Sequence, residues 1–305
     1  MPDKVRLVFS KGYAVDIGEH VFPTSKYRLI KECLLKNASL QNKLEFVTPK
    51  PARARDVLLA HTEEYLDKLT GGTLTREETL KMELPYSKKL VEAALLCCGG
   101  TVLATQIALS EGLGVHIGGG FHHAFPDHGE GFCVLNDIAV AVKRLINLGP
   151  ARRALIVDCD LHQGNGTAAI FKNDKNVFTF SIHQENNYPF FKPPSGLDIG
   201  LEDGAGDDEY LDAICGSVPR IVKEFAPDFI MYVAGADPYK EDQLGGLKLT
   251  KEGLVRRDEA VFALAKKSSI PIAAVLAGGY AFHESDTVDI HCNTIKTGIS
   301  IFHGI

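Results

Sequence analysis

Six short runs rich in Val, Ile and Leu punctuate this chain, and longer amphipathic stretches separate them. The runs are Val5–Phe9, Val115–Ile117, Leu155–Asp158, Val177–Ser181, Phe229–Val233 and Ala273–Leu276. Helical periodicity covers Ser25–Lys36, Arg53–Leu69, Ser87–Ser110, Asn136–Leu148, Asp208–Phe225, Thr250–Lys267 and the stretch from Asp286 onward. A strand buried on both faces reads as a continuous apolar run, and strands that alternate with helices pair in parallel. The pattern predicts an α/β fold with a central, mostly parallel sheet flanked by helices. No linker, repeat or low-complexity segment interrupts the 305 residues, so 1–305 reads as a single domain.

The residues at the C-terminal ends of these runs are equally regular. Val115–Ile117 leads into Gly118-Gly119-Gly120-Phe121-His122-His123, and Leu155–Val157 into Asp158-Cys159-Asp160-Leu161-His162. Phe229–Val233 leads into Ala234-Gly235-Ala236-Asp237, and Ala273–Leu276 into Ala277-Gly278-Gly279-Tyr280. In a parallel sheet all four ends lie on one edge, where open α/β sheets place their active sites.

Side-chain chemistry gives those ends a reading. Alternate residues of a strand share a face, so Asp158, Asp160 and His162 are expected to point one way. Asp160, His162 and Asp237 together offer two carboxylates and one imidazole. That set suits Zn²⁺ with a position open for water, and Fe²⁺ or Mn²⁺ also accept it. The plainer alternative makes Asp160 a helix cap and His162 a satisfied polar residue. His122 and His123 can take a proton from water and return it to a leaving group, or be turn histidines without a role. Asp158 can orient an imidazole, or act as a cap or salt-bridge partner. Tyr280 can donate to a developing oxyanion, although most tyrosines after Gly-Gly are loop residues. Phe132 and Tyr188 are candidates for an apolar channel wall, a role that competes with ordinary core packing.

Composition narrows the function classes. The net charge of -6 comes from 33 basic and 39 acidic residues with no Lys/Arg block, so no nucleic-acid partner is expected. Seven cysteines without a C-x-x-C pair suggest neither a zinc ribbon nor a disulfide framework. Reduced thiols in a cytoplasmic protein are the expected state. Met1-Pro2-Asp3-Lys4 opens the chain without the apolar core of a signal peptide. Val91–Leu109, the longest apolar helical stretch, is broken by Glu92, Gln106 and two glycines, so no membrane span is expected.

In this order, these residues resemble the zinc-dependent histone deacetylase family. The matching segments are Gly119-Gly120-Phe121-His122-His123-Ala124, Gly131-Phe132-Cys133-Val134-Leu135-Asn136-Asp137 and Val157-Asp158-Cys159-Asp160-Leu161-His162-Gln163-Gly164-Asn165-Gly166-Thr167. Ala234-Gly235-Ala236-Asp237 and Ala277-Gly278-Gly279-Tyr280 complete them. Glu19-His20-Val21-Phe22-Pro23, Lys26-Tyr27 and Gln163 look most like the class IV branch and bacterial histone deacetylase-like amidohydrolases.

The resemblance implies a three-layer arginase/deacetylase-like fold. It makes Asp160, His162 and Asp237 the zinc ligands (Fe²⁺ being the alternative metal), and His122, His123, Asp158 and Tyr280 the catalytic groups. Gly131, Phe132, Tyr188 and Gly278 become the substrate channel. A structural K⁺ is implied at Asp158 and Ser181 and at the backbone carbonyls of Asp160, His162 and Ile182. The implied substrate is an acylated lysine in a protein or peptide. The alternatives are an acetylpolyamine or other acylated small amine, or a metal-containing protein that binds acyl-lysine without cleaving it.

Two departures stand out. Asn165 replaces an aspartate that many relatives pair with the second histidine, which should leave His123 less basic. Gln163 replaces a commoner histidine. Glu83 lies near the place of a rim aspartate, without a clear match.

Overall fold

The computed structural model describes residues 4–305; Met1–Asp3, part of the start read above for a leader, lie outside the described residues. In chain order the strands are β1 (Val5–Val8), β2 (Leu44–Val47), β3 (Leu113–His116), β4 (Ala154–Asp158), β5 (Val177–Gln184), β6 (Leu197–Leu201), β7 (Phe229–Val233) and β8 (Ile272–Val275). The helices are α1 (Lys26–Lys36), α2 (Ala54–Val57), α3 (Glu63–Gly71), α4 (Arg76–Met82), α5 (Lys88–Glu111), α6 (Asp137–Asn147), α7 (Asn165–Phe171), α8 (Asp207–Phe225), α9 (Lys251–Lys267) and α10 (Glu284–His303).

Among the described residues the strands form one sheet in the order β2-β1-β3-β8-β7-β4-β5-β6, and every pairing is parallel. The four strands that end in functional-looking motifs, β3, β8, β7 and β4, are neighbours at its centre. Every residue of these four strands is buried, as apolar runs covered on both faces require.

The differences from expectation have local causes. Strands β2 and β6 lack a long apolar run because they form the sheet's two edges and are only partly buried. The stretch 53–69 is two helices, because the Thr62 hydroxyl accepts the Tyr65 N–H at 3.3 Å and caps a new start. Helix α4, which periodicity did not signal, opens on a capping box formed by Thr75 and Glu78. The glycine-rich turn after His162 becomes the seven-residue α7. Strand β5 runs past Ser181 to Gln184.

Helix α5 does have the length and apolar character of a membrane span, contrary to the sequence expectation. Cys98, Ala104 and Ala108 on it are fully buried, and it packs against α6, β3 and β8.

Candidate active site

Strand β4 ends at Asp158, so Asp160 and His162 do not share a strand face with it as the sequence suggested. They lie in the loop beyond, and side chains fold that loop. Asp158 Oδ1 accepts the Asp160 N–H at 3.1 Å, and Asp160 Oδ1 accepts the His162 N–H at 3.0 Å. Asp237 Oδ1, from the end of β7, accepts the Leu161 N–H at 3.0 Å. Asp160 Oδ2 accepts the Gly278 N–H, from the end of β8, at 2.8 Å. Three strand ends are thereby tied together through carboxylates. Gly278 is required here, because a Cβ would lie 2.0 Å from Asp237 Oδ2.

A second tie comes from behind. Arg257 on α9 is fully buried and donates to the Gly235 carbonyl at 2.6 Å and the Cys159 carbonyl at 3.3 Å. Its Nε donates to Asp258 Oδ1 at 3.0 Å, and the Tyr210 hydroxyl donates to the same Cys159 carbonyl at 3.2 Å. Sequence reading missed this group, because an Arg-Asp pair on a helix normally marks a solvated face.

Asp160, His162 and Asp237 have ligand atoms within 4.8 Å of one another, and all three residues are buried. His162 Nδ1 is 3.2 Å from Asp160 Oδ1 and 3.4 Å from Asp237 Oδ2. Asp237 Oδ2 is buried without a hydrogen-bond partner. Burial opposes charge on His162, yet the two carboxylates outweigh it and raise its pKa to about 10. Burial and the neighbouring Asp160 carboxylate push Asp237 upward. Two buried carboxylates with an orphan oxygen call for a cation, and an N/O donor set at this spacing fits a metal ion.

The tandem histidines sit beside this group in opposite electrostatic settings. A carboxylate only accepts, so His122 Nδ1 donates to Asp158 Oδ2, at 2.8 Å. Burial opposes the His122 imidazolium, but Asp158 and Asp160 raise its pKa to about 9. His123 Nδ1 faces Asn165 Oδ1 at 2.7 Å. The Gly166 N–H donates to that same oxygen at 3.0 Å, which fixes the amide orientation and makes His123 Nδ1 the donor. Burial, then the His122 and His162 charges, hold His123 well below the ordinary histidine range. His122 Nε2 and His123 Nε2 are 3.1 Å apart, so the protonated His122 donates to the free lone pair of His123.

A cavity leads to His123 and His162 between Phe132, Tyr188, Gly131 and Tyr280. A Cβ on Gly131 would meet the Tyr188 hydroxyl at 2.8 Å and His123 Cδ2 at 2.9 Å. Phe132 adopts a left-handed backbone (φ 64°), an uncommon state for a side chain this large. Gly278 does not line this cavity. It lines a smaller inner one, because its role is to make room under the carboxylates.

Glu83 does stand on the larger cavity, at the C-terminal end of α4, and burial and Glu130 raise its carboxyl pKa. Leu244, which lines the channel, escaped sequence reading. His20 and Lys26, quoted above for the resemblance without a site role, also reach the site: His20 packs edge-on against Phe132, and the buried Lys26 donates to the Ala277 carbonyl at 2.7 Å. Burial lowers the Lys26 pKa to about 8. Ser181 lies within β5 and pairs in register with Asp158, and its hydroxyl is 3.0 Å from His183 Nδ1. Ile182 follows it, fully buried.

The sheet, its helical layers and the strand-end site define an α/β protein of the arginase-like architecture. The histone deacetylase domain profile matches residues 20–294, and the chain belongs to the histone deacetylase family. It is 41% identical to an uncharacterized protein of Picosynechococcus over 93% of this chain and 95% of that one. It is 31% identical to Histone deacetylase 2 of Arabidopsis thaliana over 91% of this chain and 75% of that one. A solved structure, the HDA15 HD domain, superposes with a TM-score of 0.79 at 22% identity, covering 97% of this chain and 95% of the other, which supports the fold.

Proposed function

We propose that this protein is a zinc-dependent amidohydrolase that removes acetyl or longer acyl groups from the side-chain amine of lysine. The observation that carries the reading is the orphan Asp237 Oδ2. It sits in a buried carboxylate–imidazole–carboxylate group beside two histidines and a tyrosine at the end of an aromatic channel. Asp160, His162 and Asp237 would hold the zinc, with Fe²⁺ the alternative. When bound, the metal polarises the acyl carbonyl and acidifies a water. A K⁺ would take the oxygens of Asp158 and Ser181 and the carbonyls of Asp160, His162 and Ile182, a donor set suited to a hard cation.

The protein's own groups divide the remaining work. His123 presents an unprotonated Nε2 and acts as the base that takes the water proton. His122, charged through Asp158, supplies positive potential beside the forming anion. The Tyr280 hydroxyl donates to the carbonyl oxygen as it gains charge. Backbone bonds hold that tyrosine, since its N–H donates to Asp242 Oδ2 at 2.7 Å and its carbonyl accepts from Gln243 Nε2 at 2.8 Å. Phe132 and Tyr188 exclude water from the acyl chain. A histidine then protonates the leaving amine.

Glu83 favours a second reading at the level of substrate. A carboxylate on the channel suits a cationic amine, so an acetylpolyamine or similar acylated small amine competes with acyl-lysine. One panel separates these outcomes. It measures zinc content together with hydrolysis of acetyl-lysine peptides, long-acyl-lysine peptides and acetylpolyamines. Metal binding without turnover on any of them would favour an acyl-lysine binding protein.

A further inference from the structure

We propose that Glu130 is a positioning residue for His123 that acts through the Asn165 amide. It supplies, one hydrogen bond further out, the negative charge that a carboxylate at position 165 would place directly against the imidazole. The inference rests on the reading of His123 as the base and adds a residue to it.

The geometry is a short, directed chain. His123 Nδ1 donates to Asn165 Oδ1 at 2.7 Å, and Asn165 Nδ2 donates to Glu130 Oε1 at 2.6 Å. Each link has one direction, because a carboxylate can only accept and the amide must turn its NH₂ toward it. Gly166 already orients the amide through its N–H, so orientation does not need Glu130. What Glu130 adds is charge. The proton that His123 takes leaves a cation whose Nδ1–H points down this chain, and a polarised amide passes part of the carboxylate's field to it.

Glu130 is built into place. Its side chain is 14% exposed and opens the turn that carries Gly131 and Phe132 into the channel, both with left-handed backbones. The Tyr188 hydroxyl donates to the same Oε1 at 3.0 Å, so one oxygen holds both the amide behind the base and the opposite channel wall. Lys81 at 3.2 Å and His128 at 3.3 Å occupy Oε2. Burial opposes the charge, yet hydrogen bonds from His128, Asn165, Lys81 and Tyr188 hold the carboxyl at about 2. Glu130 therefore stays ionised and takes no proton in the reaction. Its negative charge stands beside His123 while Lys81 balances it on the solvent side.

Exchange of donor and acceptor tests the idea in the full-length, zinc-loaded protein. Glu130→Gln should lower kcat about tenfold, at the low end for outer partners of a catalytic centre, with KM within about twofold. Asn165→Asp alone should be worse, because it sets two carboxylates against each other at the 2.6 Å contact. The double variant E130Q/N165D restores the bond with its polarity reversed and puts the charge on His123 directly. It should return to within about threefold of the parent kcat.

Full activity in E130Q, or a double variant no better than N165D, overturns the proposal. Should E130Q fail to fold, the double variant still decides, since it keeps the hydrogen bond. Turnover is not the sole readout. In the zinc-loaded protein the NMR signal of the His123 Nδ1 proton should move in E130Q and return in the double variant. An unmoved signal defeats the role of Glu130 even where no acyl substrate is cleaved, whereas a moved signal without turnover defeats only the deacylase reading.

Discussion

The floor of the site and its mouth differ in how tightly each side chain is determined. On the floor, Asp158, Asp160, Asp237, His122 and His162 are all buried, and every carboxylate oxygen except Asp237 Oδ2 meets a named N–H. The mouth is taken as the loops that continue from the channel walls, where Phe190 and Phe191 come soon after Tyr188 and Phe282 soon after Tyr280 in the chain, and all three rings are exposed to solvent. Buried polar groups interact strongly and are costly to leave unpaired, so the floor admits few substitutions. Exposed apolar rings contribute little to stability and are free to vary with what enters. Under the proposed function, the difference would give chemistry to the floor and selection to the mouth.

The largest break in that comparison is loss of the metal. Asp237→Asn removes one of the proposed ligands and the charge of the orphan oxygen. Metal content by elemental analysis should fall, and kcat/KM should drop by about a thousandfold or more, consistent with several kcal/mol of lost stabilisation. Chelation should reproduce the loss, and added zinc should reverse it in the parent alone. A D237N protein that keeps both metal and activity would place the chemistry elsewhere.

Arg257 tests how the floor is held. It reaches two carbonyls on the loops that carry Asp160 and Asp237 and pairs with Asp258, whose other oxygen accepts from Thr294 at 2.6 Å. Arg257→Met leaves a buried carboxylate and two carbonyls without their cation. Urea unfolding should show a loss of about 3–5 kcal/mol, the cost of breaking a buried pair from one side. A loss under about 1 kcal/mol would mean that the strand ends hold their own geometry, and the floor would then resemble the mouth.

Tyr280→Phe sharpens the comparison without disturbing the fold. It deletes one hydroxyl and keeps the ring packed against Phe22 and Phe132. Turnover should fall about 100-fold, with KM and melting temperature nearly unchanged. A rise in KM at constant kcat would move Tyr280 from chemistry to binding.

Sequence legibility divides along the same line. Strands β3, β4, β7 and β8 could be read because burial on both faces forces an apolar run, and the residues that end them form the candidate site. Edge strands β2 and β6 could not, since partial exposure permits Glu45 and Asp198 among their residues. Asp160 and His162 were legible as residues but not as geometry. Loop hydrogen bonds group them, not strand alternation. Arg257 and Glu130 were illegible for a different reason. Their roles depend on partners 98 and 35 residues away, which no local pattern announces.

The smallest effects belong to the mouth. Phe190→Ser, Phe191→Ser and Phe282→Ser remove exposed apolar area and leave the core untouched. Each should change unfolding free energy by no more than about 0.5 kcal/mol. If the rings select substrate, KM for a peptide with apolar residues flanking the acyl-lysine should rise a fewfold, while kcat and the KM of an acetylpolyamine stay level. A shared loss of kcat across both substrates would show instead that these loops set the position of Tyr188 and Tyr280. The boundary between floor and mouth would then lie further out than the buried residues suggest. Uniform indifference across the panel would leave Glu83 as the group at the mouth with a chemical preference, and its carboxylate would favour the small cationic amine.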